Sequence, residues 1–205
     1  MSKLVHAPAG SWESQLRDIE EGKLHAYRYY LPLREAVVSY CKLHGKRLDH
    51  ILQQLDLAAS GVAAHRGANP VRDNRTAFNM FVNVFYPRLG HFEQSFLREE
   101  AKPGCAFEGV NLVGLPHFSA IDTKSEKRFV FLHASKWDED DLKAYLELLS
   151  VIVADRFGAP ATSLWCMDLR TGTDYKWKSS TRIRARCVNA ARHFARLIEA
   201  MQSSE

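Results

Sequence analysis

Seven basic side chains, Lys176, Lys178, Arg182, Arg184, Arg186, Arg192 and Arg196, fall between Tyr175 and Ile198 with no acid among them. Arginine forks match phosphate oxygens two at a time, and Trp177, set between Lys176 and Lys178, offers a ring on which a base can stack. A solvated helix ordinarily interleaves both signs to gain pairs one turn apart; this stretch gives them up. The pattern points to a nucleic-acid backbone or to an acidic protein partner. Arg66, Arg72 and Arg75, with Asp73 as the one nearby acid, offer a second basic patch for nucleic acid. A different set, His117, Asp122, His133 and Lys136, lies near the ends of two apolar runs. Two imidazoles and a carboxylate converging there would suit a transition metal such as Zn²⁺ or Mn²⁺.

These residues depend on elements that the periodicity outlines. From Ser11 to about Asp56 apolar residues recur at three and four: Leu33, Val37, Tyr40 and Cys41, then, after a break at His44-Gly45, Leu48, Ile51, Leu52 and Leu55. The spacing predicts two or three short amphipathic helices. Gly61 to Arg75, bearing Gly, Asn and Pro, reads as a loop. Helical spacing resumes at Phe78, Phe81, Val82 and Phe85, stops at Pro87, and returns through Phe92, Phe96 and Leu97.

After Gly104 the pattern changes to strands: VNLVGL, HFSAI and, beyond a charged turn from Asp122 to Lys127, RFVFLH. A helix follows, its first turn crowded by Asp138, Glu139, Asp140 and Asp141 and its apolar face made by Leu142, Tyr145, Leu146, Leu149, Ile152 and Val153. Ser163 to Leu169 reads as another strand, Thr171 to Asp174 as a turn, and Tyr175 to Lys178 as a short strand. Thr181 to Met201 forms a terminal helix with Ile183, Cys187, Phe194 and Leu197 inward and Arg182, Arg186, Arg192 and Arg196 opposite. The predicted class is α/β (α+β), a mixed β-sheet flanked by helices, with an N-terminal helical region over residues 1–88 and a second unit over 89–205.

The segments VNLVGLPHFSAID (110–122), FVFLHASK (129–136), DLKAY (141–145) and LWCMDLRTG (164–172) together resemble the PD-(D/E)XK nuclease superfamily, in particular its RecB-like and CRISPR-adaptation exonuclease branch. That branch carries, in order, a strand reading G-x-x-D, a turn, an apolar strand ending (D/E)-x-K, a helix with Q-x-x-x-Y, and a strand closing on a T-G turn. The resemblance implies a restriction-endonuclease-like core, in which two carboxylates at adjacent strand ends hold Mg²⁺ and the lysine orients the attacking water. Carried over residue by residue, the G-x-x-D acid falls on His117, the (D/E)-x-K acid on Ala134 and the helix glutamine on Asp141, while Lys136 and Tyr145 keep the family types. Alanine has no ligand atom, so ordinary Mg²⁺-dependent cleavage is expected to be absent. His91 matches loosely a histidine that the branch carries on an upstream helix. Members with an iron-sulfur cluster place three cysteines close together near the C-terminus; only Cys166 and Cys187 lie there, so no cluster is expected.

Composition narrows the rest. The chain has 205 residues, 28 Lys+Arg against 24 Asp+Glu, and 46% hydrophobic residues, which excludes disordered, collagen-like and coiled-coil classes. Its net charge of +4 is, as a total, only a statement about solubility. The most apolar run, Leu146 to Ala154, falls far short of the ~20 residues that span a bilayer, so no membrane partner is expected. The start lacks an apolar signal region, and Cys41, Cys105, Cys166 and Cys187 show no C-x-x-C; a cytoplasmic protein with reduced, buried thiols fits both. The expectation is a nucleic-acid-binding protein, for DNA or RNA, with an inactive nuclease-like fold, serving with protein partners in a defence, recombination or mobile-element complex. No cofactor is expected. One alternative is an active nuclease using Mg²⁺ or Mn²⁺ at a displaced site, with Lys136 and Asp122 catalytic and His117, His133 and Asp122 as metal ligands. The other is an interaction module for an acidic protein.

Overall fold

The computed structural model describes residues 29–63, 67–97, 104–107, 110–113, 116–136 and 139–175, together with 182, 183, 185, 186, 188, 189, 192, 193 and 196. Helices α1 (Leu31–Lys42) and α2 (Leu48–Ser60) follow the predicted apolar spacing and break where His44 and Gly45 adopt positive φ. Helix α3 (Pro70–Met80) begins inside the stretch read as a loop. Asn69 and Pro70, taken as turn residues, are its N-cap and first turn: the Asn69 side chain accepts the Arg72 N–H at 3.0 Å, and proline's fixed φ suits a position whose N–H needs no partner.

A π-helical turn (Phe81–Phe85) and a short 3₁₀ turn (Tyr86–Arg88) carry the chain from α3 into β1 (Leu89–Ser95). Phe92 was expected on a helix and lies instead on this strand, as does His91. The reason is geometric. The pairing of β1 shifts between Leu89 and His91 and again between Phe92 and Gln94, so its less exposed residues are Leu89, Phe92 and Ser95, and two bulges turn a period of two into a period of three. Gly90 lets the strands meet, since a Cβ there would stand 3.0 Å from the Asp122 carbonyl oxygen.

The hairpin of β2 (Gly104–Phe107) and β3 (Val110–Val113) forms its own small sheet. Strands β4 (Phe118–Asp122), β5 (Lys127–His133), β6 (Leu164–Asp168) and β7 (Thr173–Asp174) join β1 in a mixed sheet ordered β1-β4-β5-β6-β7. All pairs are antiparallel except β5 with β6, which α4 (Glu139–Phe157) connects.

RFVFLH is apolar without alternation because both of its faces are covered. Val130 and Leu132, with Phe118, Ala120 and Met167, pack against Leu33, Val37, Phe78, Phe81 and Phe85. Phe129 and Phe131, with Leu164 and Cys166, pack against Leu142, Leu146, Leu149 and Val153 of α4. The result is three layers, helices on either side of a sheet. The helices before Leu89 and the sheet after it share one apolar core.

Two polar ties hold the layers in place. Arg88, just ahead of edge strand β1, reaches the opposite edge strand: its guanidinium donates to both Asp174 carboxylate oxygens at 3.0 and 2.6 Å and lies 4.8 Å over the Trp165 ring. Asn74, fully buried, accepts the Leu33 N–H at 3.1 Å and donates to the Tyr29 and Pro70 carbonyls at 3.0 and 2.8 Å, pinning the start of α1 to α3. Removing this side chain strands the buried Leu33 N–H and takes a donor from the Tyr29 and Pro70 carbonyls. Asn74→Ala is therefore expected to lower stability by about 3 kcal/mol, read as a reduced urea midpoint with an unchanged denaturant slope.

Candidate functional site

His117 immediately precedes β4 and Ala134 immediately follows β5, and because those strands run antiparallel the two motif positions occupy the same edge of the sheet. The side chains there are not metal ligands. His117 is buried, stacks on Phe131 at 4.8 Å between ring centres, and uses Nδ1 to accept the Leu132 N–H at 2.9 Å. Its own N–H donates to the Val130 carbonyl at 2.7 Å. A ring nitrogen that accepts a backbone N–H leaves the proton on Nε2, so neither nitrogen keeps a lone pair for a cation. The imidazole thus extends the β4–β5 ladder by one rung. Burial, with a smaller contribution from the Arg34 guanidinium, holds its pKa well below the ordinary histidine value.

Asp122 lies at the other end of β4, roughly 16 Å from His117 at the usual rise per residue. Its carboxylate organises the β4–β5 turn, accepting the Lys124 and Glu126 N–H groups at 2.8 and 3.0 Å and the Arg128 Nε at 2.8 Å. Burial alone would raise this carboxyl, but the hydrogen bonds from Arg128, Glu126 and Lys124 outweigh it and hold the pKa below the ordinary range. Arg128 continues to the Thr162 carbonyl at 3.0 Å and so ties the turn to the start of β6. Asp122 is a turn residue, so the catalytic and metal roles read for it from sequence do not fit its position. Nor does the constellation of His117, Asp122, His133 and Lys136 assemble whole, because the length of β4 sets Asp122 apart from the other three. Among the described residues no group of three His, Cys, Asp or Glu gathers to hold a metal ion.

His133 is buried beside Asp168, its register partner on β6. Burial lowers its pKa, the Asp168 carboxylate opposes that, and Arg170 adds to it. Lys136 is exposed just beyond. Arg170, which the sequence reading passed over, donates to the Ser135 carbonyl at 3.2 Å and so stands beside Lys136 at the carboxyl ends of the two parallel strands, where open α/β sheets bind ligands. Its signal was an arginine just past a strand paired in parallel, invisible until the pairing is known.

In the C-terminal helical segment Ile183 is buried, while Arg182, Ala185, Arg186, Asn189, Arg192, His193 and Arg196 are exposed. At 100° per residue these seven span about a third of the helix circumference, and none is acidic. Arg186 also reaches inward: it donates to Glu147 of α4 at 2.7 Å. Glu147 is itself buried, so this arginine anchors the segment rather than offering its charge outward. Sequence reasoning missed Glu147, although a lone acid inside LELLSVIVA is its signature.

Arg72 and Arg75, expected in a basic loop, sit on α3 and bridge Asp73 and Asp56 at 3.1 and 3.0 Å. Lys176, Trp177, Lys178 and Arg66 lie outside the described residues, as does the Cys187 position. Cys41 and Cys166 are buried free thiols, and burial pushes Cys41 up to about 12. Among the described residues no helix is long and apolar enough to cross a membrane. No family model, curated protein or solved structure matches the chain.

The His117 hydrogen bond has a pH signature. A histidine held neutral in the fold takes up a proton in the unfolded chain below about pH 6.5, so the stability it contributes is complete above that pH and lost as pH falls further. His133 acts in the same direction. His117→Asn, which offers an amide oxygen to Leu132 and cannot titrate, is expected to flatten the loss of stability between about pH 7 and pH 5, measured by urea unfolding. His117→Ala should cost about 1–3 kcal/mol at neutral pH by stranding that N–H.

Proposed function

We propose that this chain is a nucleic-acid-binding protein on a restriction-endonuclease-like core whose cleavage chemistry is lost. The observation that carries the reading is the exposed arc of the C-terminal helical segment, where Arg182, Arg192 and Arg196 share a face with neutral side chains and His193, and where none of the exposed described residues of the segment is itself acidic. Such a face attracts a polyanion at long range and grips phosphates at short range. Lys136 and Arg170 add cations at the carboxyl ends of the parallel strands.

The element order lends support to the nuclease-like part. β4, a turn, β5, α4, β6 and a closing turn at Thr171-Gly172 follow one another as the family resemblance requires, and the two motif positions fall on one edge of adjacent strands. Both have lost the chemistry. His117 caps the sheet and Ala134 has no ligand atom, which favours a binding role over a cutting one. Service as a non-cleaving subunit of a defence, recombination or mobile-element complex follows from the resemblance alone.

Binding of labelled duplex and single-stranded oligonucleotides across a salt series tests the reading. Affinity should fall steeply with salt, and Arg182→Ala/Arg192→Ala/Arg196→Ala should weaken it and reduce the slope by about 2–3. Arg186 is left in place because its loss would undock the segment. Binding that ignores salt, or that survives the triple substitution unchanged, overturns the proposal. Plasmid incubated with Mg²⁺ or Mn²⁺ should remain intact; cleavage abolished by Lys136→Ala would make the chain a working nuclease.

A further inference from the structure

Arg72, Arg75, Arg88, Arg128 and Arg186 each bond a carboxylate. The turn between α1 and α2 behaves differently. Lys42, Lys46 and Arg47 are exposed, and among the described residues none of them pairs with an acid. Asp49 is the only carboxylate from Lys42 to His50, and it bridges to none of the three. His44 and His50 are exposed in the same stretch. Three like charges thus fall within six residues with no ion pair to a described residue.

The turn is also held in shape. His44, Gly45 and Arg47 take φ of 52°, 76° and 60°. The N–H groups of His44, Gly45 and Lys46 donate to Cys41, Tyr40 and Leu43 carbonyls at 3.1, 3.0 and 3.0 Å. Gly45 rests directly on Tyr86, where a Cβ would stand 2.9 Å from the phenolic oxygen, and Tyr86 in turn packs edge-on against Tyr40 with ring centres 4.7 Å apart. A backbone fixed in this way presents its cations with little ordering cost on binding. Arg88, two residues beyond Tyr86, accepts the Thr123 N–H at its carbonyl, which ties the segment that supports Gly45 to the β4–β5 turn.

We propose that the α1–α2 turn is a separate contact for the phosphate backbone of a nucleic acid, with Lys42, Lys46 and Arg47 each taking a phosphate. This rests on the nucleic-acid reading above and adds a surface to it on different elements from the nuclease-like strands. Phosphates carry no sequence information, so a contact made by these cations is expected to show no sequence preference.

The test compares wild type with two variants in the same salt-dependent binding assay, using duplex and single-stranded oligonucleotides of mixed sequence. The turn variant is Lys42→Gln/Lys46→Gln/Arg47→Asn, asparagine being chosen because it tolerates the left-handed conformation. The other is Arg182→Gln/Arg192→Gln/Arg196→Gln. The turn variant should bind about tenfold or more weakly near 0.1 M salt, with a slope lower by about 2–3, and should melt like wild type because all three side chains are exposed. The single charge reversal Lys46→Glu should weaken binding further than Lys46→Gln. Unchanged binding by the turn variant, with loss in the other, sinks the turn and leaves the C-terminal face standing. A wild type that binds no nucleic acid overturns both. Turn-dependent binding of polyglutamate without nucleic-acid binding would assign the surface to an acidic protein and also overturn the proposal.

Discussion

Phe129, Val130, Phe131 and Leu132 are consecutive, apolar and buried, so β5 needs a helical layer on each of its faces. Each such side chain contributes about 2 kcal/mol when removed from water, and none of it is realised unless α1 to α3 close one side and α4 the other. That requirement is met by the crossover helix α4, which pairs β6 in parallel with β5. At the first of the two strand ends where the family resemblance expects a carboxylate, the same demand for satisfied backbone groups has recruited His117 as a hydrogen-bond acceptor.

Charge in this protein has to be counted in space. The acid-free C-terminal stretch is acid-free only along the chain, for Arg186 finds Glu147 on α4. Arg72 and Arg75 meet Asp73 and Asp56, the latter on a different helix. A carboxylate near an arginine lowers the energy of both, so folding tends to consume the cations that a linear reading treats as a patch. Exposure is a separate matter: the arginines of the C-terminal arc and Arg170 stay at the surface, while Lys42, Lys46 and Arg47 are exposed and, among the described residues, unpaired.

The order of elements was legible from Phe118 to Asp168 because long apolar runs and a continuous helical face leave little ambiguity about type. Two segments misled for identifiable reasons. Asn69-Pro70 carries the same letters whether it breaks a chain or starts a helix, and only the Arg72 N–H reaching Asn69 distinguishes the cases. In β1 a pair of bulges gives inward residues a spacing of three, which imitates a helix. Of the site, the arginine face was readable from periodicity; Arg170 and Glu147 were not, since each matters through a neighbour distant in sequence.

By itself the sequence determined the mixed α/β class, the buried character of β5 and α4, and which side of the C-terminal segment carries its arginines. These are local properties, set by period and by the cost of exposing apolar surface. Only the tertiary structure decided that His117 and Asp122 serve the backbone at opposite ends of one strand, that Arg186 is an anchor, and that Lys42, Lys46 and Arg47 are left without acids. Those outcomes depend on distances between residues far apart along the chain, and a hydrogen bond or an ion pair is decided within a few ångströms.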